Sequence, residues 1–471
     1  MSRNGNLIKN IAIFAVGSLG SKMLQFLLLP FYTRVLSDAQ YGTVDILQSI
    51  GTLLLPIVSL TIFDAVFRFA MDTNTKKEAA FSVGIITVVG GSLLLMIAGA
   101  FLSVCIGYTD YIWIIIMYTI SQMFRSVTSQ YIRAIGKVRL FTIDNVLQTL
   151  LILLCNILFL VGFHMGIEGY MLGYIVGNLS SFLFVFLVQK LWKDLQFHGL
   201  GKELFVSMYK FSIPLIPNAI CWWMTTMIGR FMVTGYLGAE ANGLFAIAFK
   251  VPTIVTIIVG VFIQAWQISA NTEYEHQDFS DYNSQIFHVL QSLTFILSSL
   301  LMLCSKIITG ILDRSFYTAW KYIPVMLVGI CFFTFAQFLG TLYTANKKTV
   351  MAFVSNFVAA IVNIVCNVFL IPAIGVIGAS LSMAVSYLVF WIFRLVDTRK
   401  LVNIQYAVKK IILNTALTIA IAVVVTLSPP YWVIYGILFF VMLLGVNFKV
   451  VKDLLYRSLS VLQSVLQSKR G

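Results

Sequence analysis

Ala79–Ile106 reads AAFSVGIITVVGGSLLLMIAGAFLSVCI, 28 residues without an Asp, Glu, Lys, Arg or His. About 20 apolar residues carry a helix across the hydrocarbon core of a bilayer, where every backbone N–H and C=O must be satisfied within the segment itself. The stretch therefore predicts a transmembrane helix. Working outward, similar runs bounded by polar turns lie near 10–36, 41–70, 111–135, 140–163 and 168–190, then near 208–236, 243–270, 285–309, 318–345, 349–372, 376–396, 407–428 and 430–450. Fourteen spans fit a chain of 471 residues that is 59% hydrophobic and only 11% charged. No polar stretch is long enough for a water-soluble catalytic domain. The fold class expected is an all-α polytopic membrane protein.

The spans group as six, six and two. A basic connector, Lys190 to Lys210, separates the first two groups and is expected to lie along the membrane surface. This gives an N-lobe at 1–195, a C-lobe at 196–400, two extra helices within 401–450, and a tail at 451–471. In the tail Leu455, Leu459, Leu462 and Leu466 recur at helical spacing, as on a cytoplasmic amphipathic helix. The first run shows no small-residue cleavage site and reads as a retained helix. Shifting 134–160 by 211 positions superposes Ala134 on Ala345, Lys137 on Lys348, Asn145 on Asn356, and Cys155-Asn156 on Cys366-Asn367. With an even number of spans per lobe, such repeats share one orientation, an arrangement found in transporters.

The net charge of +14 would suggest nucleic acid in a soluble protein; here its placement reports topology instead. With the N-terminus inside, 23 of the 32 Lys and Arg fall on cytoplasmic segments, and only Arg34, Lys306, Arg314 and Lys321 fall outside. Both termini are thus expected in the cytoplasm. The six cysteines lie in apolar runs without CxxC spacing, and the four histidines share no face, so neither a disulfide framework nor a metal site is expected.

Five cations remain within spans: Lys22, Arg68, Arg125, Arg230 and Lys250. Each costs about 2.5–3.5 kcal/mol at the bilayer centre on insertion scales, so five facing lipid would consume roughly a whole protein's stability. They are expected to face a wet interior. Gln25 shares a stripe with Lys22, Gln122 with Arg125, and Asn218 and Trp222 form a looser stripe with Arg230. A cavity with excess positive charge selects an anion, and Arg and Lys are the usual partners of phosphate oxygens. Arg68 follows Asp64 by four residues, so an ion pair on one helix competes with a transport role. Asp45, Asp64 and Asp144 are candidates for carrying a coupling H+ or Na+, or, the preferred reading, for neutralising a nearby cation. Pro217, in the seventh span beside Pro214, is the candidate hinge.

Three stretches carry a resemblance. Thr33-Arg34-Val35-Leu36-Ser37-Asp38-Ala39-Gln40-Tyr41-Gly42, Pro214-Leu215-Ile216-Pro217-Asn218 followed by Trp222-Trp223 and Arg230-Phe231, and Gly243-Leu244-Phe245-Ala246-Ile247-Ala248-Phe249-Lys250 occur in order. They resemble motifs of the bacterial polysaccharide repeat-unit flippases, which belong with the multidrug exporters and peptidoglycan-precursor flippases. Gly229 stands where that family usually has Asp, which leaves Arg230 one carboxylate short.

The resemblance implies two lobes around a V-shaped central cavity and, as substrate, an undecaprenyl-diphosphate-linked oligosaccharide. That substrate would move from the inner to the outer leaflet of the cytoplasmic membrane, for capsule or O-antigen-type assembly. Lys22, Arg125, Arg230 and Lys250 would hold the diphosphate, and the two extra helices would cradle the polyprenyl tail. Implied partners are the bilayer and the polysaccharide polymerase machinery; a monomer without cofactor suffices. A drug/cation antiporter shares the fold but calls for an acidic cavity. A polymerising or ligating membrane enzyme calls for a large outer loop with catalytic groups, and none longer than about 12 residues is visible.

Overall fold

The computed structural model describes residues 28–450 and 452, apart from 73–74, 107–110, 197–199, 274–278, 346–348 and 401–405. Side chains of 106, 261, 264–273, 279, 282, 344–345 and 349 also fall outside the described set. Most of the first expected span, with Lys22 and Gln25, and nearly all of the tail helix therefore lie outside the described residues.

Among the described residues every regular element is helical. In chain order they are α1 (Leu29–Val35), α2 (Asp38–Val58), α3 (Ile62–Met71), α4 (Lys77–Ile106), α5 (Ile112–Ala134), α6 (Val138–Ile157), α7 (Gly166–Val188), α8 (Lys202–Ser212), α9 (Leu215–Leu237), α10 (Ala239–Glu273), α11 (Phe279–Leu303), α12 (Ser305–Gly310), α13 (Ile323–Ala345), α14 (Thr349–Ile374), α15 (Val376–Thr398), α16 (Val408–Leu427) and α17 (Trp432–Val446). Eleven segments among the described residues are long and apolar enough to cross a membrane. α5 equals them in length but carries Gln122, Arg125 and Arg133, and α17, at 15 residues, is shorter than the usual span.

Two compact units divide at Ala246/Ile247, whereas the sequence reading closes the first lobe at 195. The connector, α8, α9 and the start of α10 belong with the first unit because their side chains are committed there. Met208 and Ser212 of α8 are fully buried, so this part of the connector is core and not merely surface. Tyr131, stacked on Phe81 at 4.4 Å, donates its hydroxyl to Asp194 at 2.9 Å.

The second and seventh expected spans are each broken in two. Between α2 and α3, Leu60 and Thr61 adopt φ of 53° and 48°, a left-handed conformation that is an outlier for a β-branched residue. Pro56 lies just upstream, and its carbonyl accepts the Thr61 N–H at 3.1 Å. Between α8 and α9 the chain turns at Ile213 and Pro214, and the Ile216 N–H goes to the Ile213 carbonyl. Pro217 sits in the first turn of α9, where proline costs little; the expected hinge adjoins this break instead of kinking a continuous helix. The two breaks meet, since the Thr61 hydroxyl donates to the Ser212 carbonyl at 2.7 Å.

Ser37 and Gln40 form a capping box at the start of α2, and a close crossing follows. A Cβ on Gly42 would clash with the Ala239 carbonyl oxygen, and one on Gly243 with that of Asp38; Asn242 donates its amide to the Gly42 carbonyl at 3.0 Å. Glycines of two of the quoted motifs thus let the starts of α2 and α10 touch backbone to backbone.

The internal repeat is visible in the element bounds. α5 at 112–134 and α13 at 323–345 have equal length and stand 211 positions apart, and α6 and α14 begin at the same offset. A Tyr–Asp bond occurs in each unit, Tyr343 donating to Asp397 at 2.9 Å as Tyr131 does to Asp194, although these residues are 212 and 203 positions apart and not at the repeat offset. Also in the second unit, Lys306 lies 4.2 Å from the ring centres of both Trp320 and Trp432 and donates to Ser428 at 2.7 Å. Burial there lowers its pKa below that of a free lysine.

Candidate functional site

Two polar seams run through the first unit. In one, α2 and α9 are joined by Asp45 and Arg230, with Nε 2.7 Å from Oδ2 and side chains 11% and 5% exposed. Arg230 Nη1 also donates to the Thr226 carbonyl of its own helix at 3.0 Å. One helical turn along α2, the Trp223 indole N–H donates to the Ser49 carbonyl at 2.9 Å. Arg230 is therefore not short of a carboxylate: α2 supplies across the interface what Gly229 cannot supply along the helix. Trp222, the other tryptophan of the pair, is 46% exposed. Eight residues from Arg230, it is rotated about 80° around the helix, so the expected stripe splits between a buried and an open face. Asn218 stands in the first turn of α9 with Pro217, half-buried.

The second seam joins α5, α6 and α7. Arg125 donates from Nη2 to Asn145 Oδ1 at 2.7 Å and from Nε to Ser181 Oγ at 3.1 Å, and Nη2 stands 3.9 Å from Asp144 Oδ2. Ser181 in turn donates to Asp144 Oδ1 at 2.6 Å. Gln148 donates to Asn178, and Asn178 to Ser121, extending the seam by two further bonds. Asp144 is fully buried while the Arg125 side chain keeps 20% of its surface open. A buried carboxylate is tolerated when a cation and hydrogen-bond donors satisfy it. What remains accessible is the cationic edge, so the seam presents a positive group to whatever wets it.

The remaining predicted residues separate. Gln122 is half-buried on α5, and Lys250 is partly buried on α10 in the second unit. Arg68 does not come within ion-pair distance of Asp64; its guanidinium lies over the Phe211 ring at 4.7 Å. Arg133 covers Phe67 at 4.7 Å in the same way. Asp64 opens α3, where the helix dipole favours a carboxylate. Two of the three acids thus pair with cations on other helices, while Asp64 does not make the same-helix pair.

One buried cation escaped the sequence reading. Arg394, counted with a cytoplasmic segment, is only 4% exposed within the second unit. It donates to Ser355 Oγ at 3.0 Å and to the Ala336 carbonyl at 2.7 Å, and lies over Phe390 at 4.1 Å. A Cβ on Gly340 would collide with its Nη1. Ser355 stands 211 positions after Asp144. The repeat therefore places a hydroxyl in α14 where α6 has a carboxylate, and the arginine comes from α15 instead of the α5 equivalent. Its place inside the run 376–396 was the available signal.

Long apolar helices whose charges are paired along helix seams define a multi-span membrane protein, and its fold is that of the MOP-superfamily transporters. A structure of the lipid II flippase MurJ in an inward closed conformation aligns over 95% of this chain and 99% of its own, with a TM-score of 0.70 at 12% identity. An inward-facing MATE family transporter of the MOP superfamily aligns over 81% and 98%, with a TM-score of 0.59 at 10% identity. Residues 7–267 match the family described as polysaccharide biosynthesis protein, and the chain belongs to that family. A protein of the Lsg locus of Haemophilus influenzae is 24% identical over 258 residues, covering 54% of this chain and 63% of that protein. An uncharacterised membrane protein of Methanocaldococcus jannaschii is 26% identical over 234 residues, 45% of this chain and 46% of its own. The chain thus aligns with about half to just under two thirds of the length of these relatives.

Proposed function

We propose that this protein is a flippase for an undecaprenyl-diphosphate-linked oligosaccharide repeat unit. It works by alternating access in a bacterial cytoplasmic membrane, with both termini in the cytoplasm, as a monomer of fourteen spans. The observation that carries this reading is membership of the polysaccharide biosynthesis family in a chain whose fold is shared with a lipid II flippase. The product would feed polymerase machinery assembling capsule or O-antigen-type polysaccharide. Arg125, with an open edge, is the residue of the described set best placed to meet a diphosphate. Arg230, more deeply buried against Asp45, holds α9 to α2. Lys22, Lys250, Gln25, Gln122, Asn218 and Trp222 are the further candidates for contact with the lipid-linked oligosaccharide.

The test is flipping of a fluorescent polyprenyl-diphosphate oligosaccharide in proteoliposomes. Arg125→Ala is expected to reduce the rate per folded protein at least tenfold, the factor that losing one charge-assisted hydrogen bond accounts for, and also to lower thermal stability, because it leaves Asp144 buried without its cation. Wild-type flipping by Arg125→Ala would remove the diphosphate role. Transport of a cationic dye in place of the lipid-linked sugar would favour the antiporter reading.

A further inference from the structure

In the second unit a groove of about 570 Å³ runs between α13, α15 and α16. Its walls are apolar: Leu381, Leu388 and Leu395 from α15 face Ile412, Ala416 and Ile419 from α16. At one end stand Arg399 and Tyr406, with the guanidinium 5.6 Å from the centre of the tyrosine ring. We propose that this groove holds one acyl chain of an anionic phospholipid, drawn from the leaflet at the basic end of the unit, with the headgroup phosphate against Arg399.

Three observations converge on that occupant. The first is length. From Val408 to Ile419 the α16 wall rises about 16 Å at 1.5 Å per residue, close to half of a hydrocarbon core about 30 Å thick, so the groove matches the depth of a single leaflet. The second is charge. Arg399 lines the groove and is exposed, and so are Lys400 and Lys409, the chain neighbours of the lining residues Arg399 and Val408. The acid beside them, Asp397, is engaged by the Tyr343 hydroxyl at 2.9 Å and by Lys400 at 3.9 Å. Among the described residues no carboxylate comes within ion-pair distance of Arg399. An exposed guanidinium at the rim of an apolar trough suits a phosphate above a hydrocarbon chain. The third is volume: about 570 Å³ admits one linear chain, whereas a polyprenyl chain is several times longer and methyl-branched at every unit. The groove is thus fitted to a resident lipid and not to the tail of the proposed substrate.

The purified full chain, in mild detergent, would be titrated with phosphatidylglycerol or with phosphatidylcholine of the same acyl composition and read by native mass spectrometry. One phosphatidylglycerol per chain is expected, with phosphatidylcholine held at least tenfold more weakly. Arg399→Ala is expected to weaken phosphatidylglycerol about tenfold, Arg399→Lys to retain most of it, and Ala416→Trp, which fills the trough, to abolish it. Ile419→Trp on the same open wall replaces Ala416→Trp if that variant fails to fold. Equal retention of both lipids, or wild-type retention by Arg399→Ala or by the tryptophan variant, overturns the proposal. Stoichiometric displacement of phosphatidylglycerol by undecaprenyl phosphate also overturns it, and reassigns the groove to the prenyl tail.

Discussion

At the scale of single residues, two buried carboxylates among those described, Asp45 and Asp144, meet arginines of other helices. Asp45 and Arg230 come from α2 and α9, 185 positions apart, and meet at 2.7 Å with both side chains largely buried. Removing one partner of a buried pair leaves an uncompensated charge and typically costs about 3–5 kcal/mol, whereas replacing both by apolar residues is often close to neutral. Asp45→Ala is accordingly expected to lower the midpoint of thermal unfolding in detergent sharply, and Asp45→Leu combined with Arg230→Leu to restore most of it. A double variant no better than Asp45→Ala would show that the pair does more than balance charge. The candidacy of Asp45 and Asp144 was legible, since a carboxylate within an apolar run is too costly to bury without a cation or a functional role. Which cation each would meet was not, because i, i+4 spacing reports only partners on the same helix. Asp64 and Arg68 have the right spacing, yet Arg68 turns to the Phe211 ring.

At the scale of helices, the informative features are the interruptions. Hydropathy reads 41–70 and 208–236 as continuous because Leu60, Thr61 and Ile213 do not interrupt the apolar character of their neighbours, and the prolines mark the neighbourhood of each break but not its position. The breaks are stabilised by each other: a carbonyl at the end of α8 accepts the hydroxyl of a residue held at positive φ after α2. Thr61→Val keeps the shape and removes the donor, which leaves a buried carbonyl unsatisfied at a cost of about 1–3 kcal/mol. Thr61→Ser should cost less. Hydrogen–deuterium exchange around 58–62 and 211–216 is expected to rise together in Thr61→Val. A rise confined to one of the two segments would mean that the breaks are independent.

At the scale of the whole molecule, the offset of 211 positions that five residues share in the sequence reappears as helices of equal length and position. The repeats have diverged at their polar centres, where Asp144 in one unit corresponds to Ser355 in the other. Under the proposed function, a site exposed to each leaflet in turn would only equilibrate its substrate unless a gradient or downstream consumption biased the cycle. If the first-unit seam with its buried carboxylate couples transport to an ion, flipping in proteoliposomes should accelerate under one of an imposed proton or sodium gradient and lose that response in Asp144→Asn. Equal rates under both gradients and under none would assign the bias to downstream polymerisation.

The sequence by itself determined that this chain is a multi-span helical membrane protein. Apolar length and the demand that each segment satisfy its own backbone are local properties, readable one run at a time. Only the tertiary structure decided which charges neutralise one another, that Arg394 is interior, and that two spans break where they touch. The groups that satisfy a buried charge or a broken helix end are contributed by other helices, and their approach depends on packing that no single run encodes.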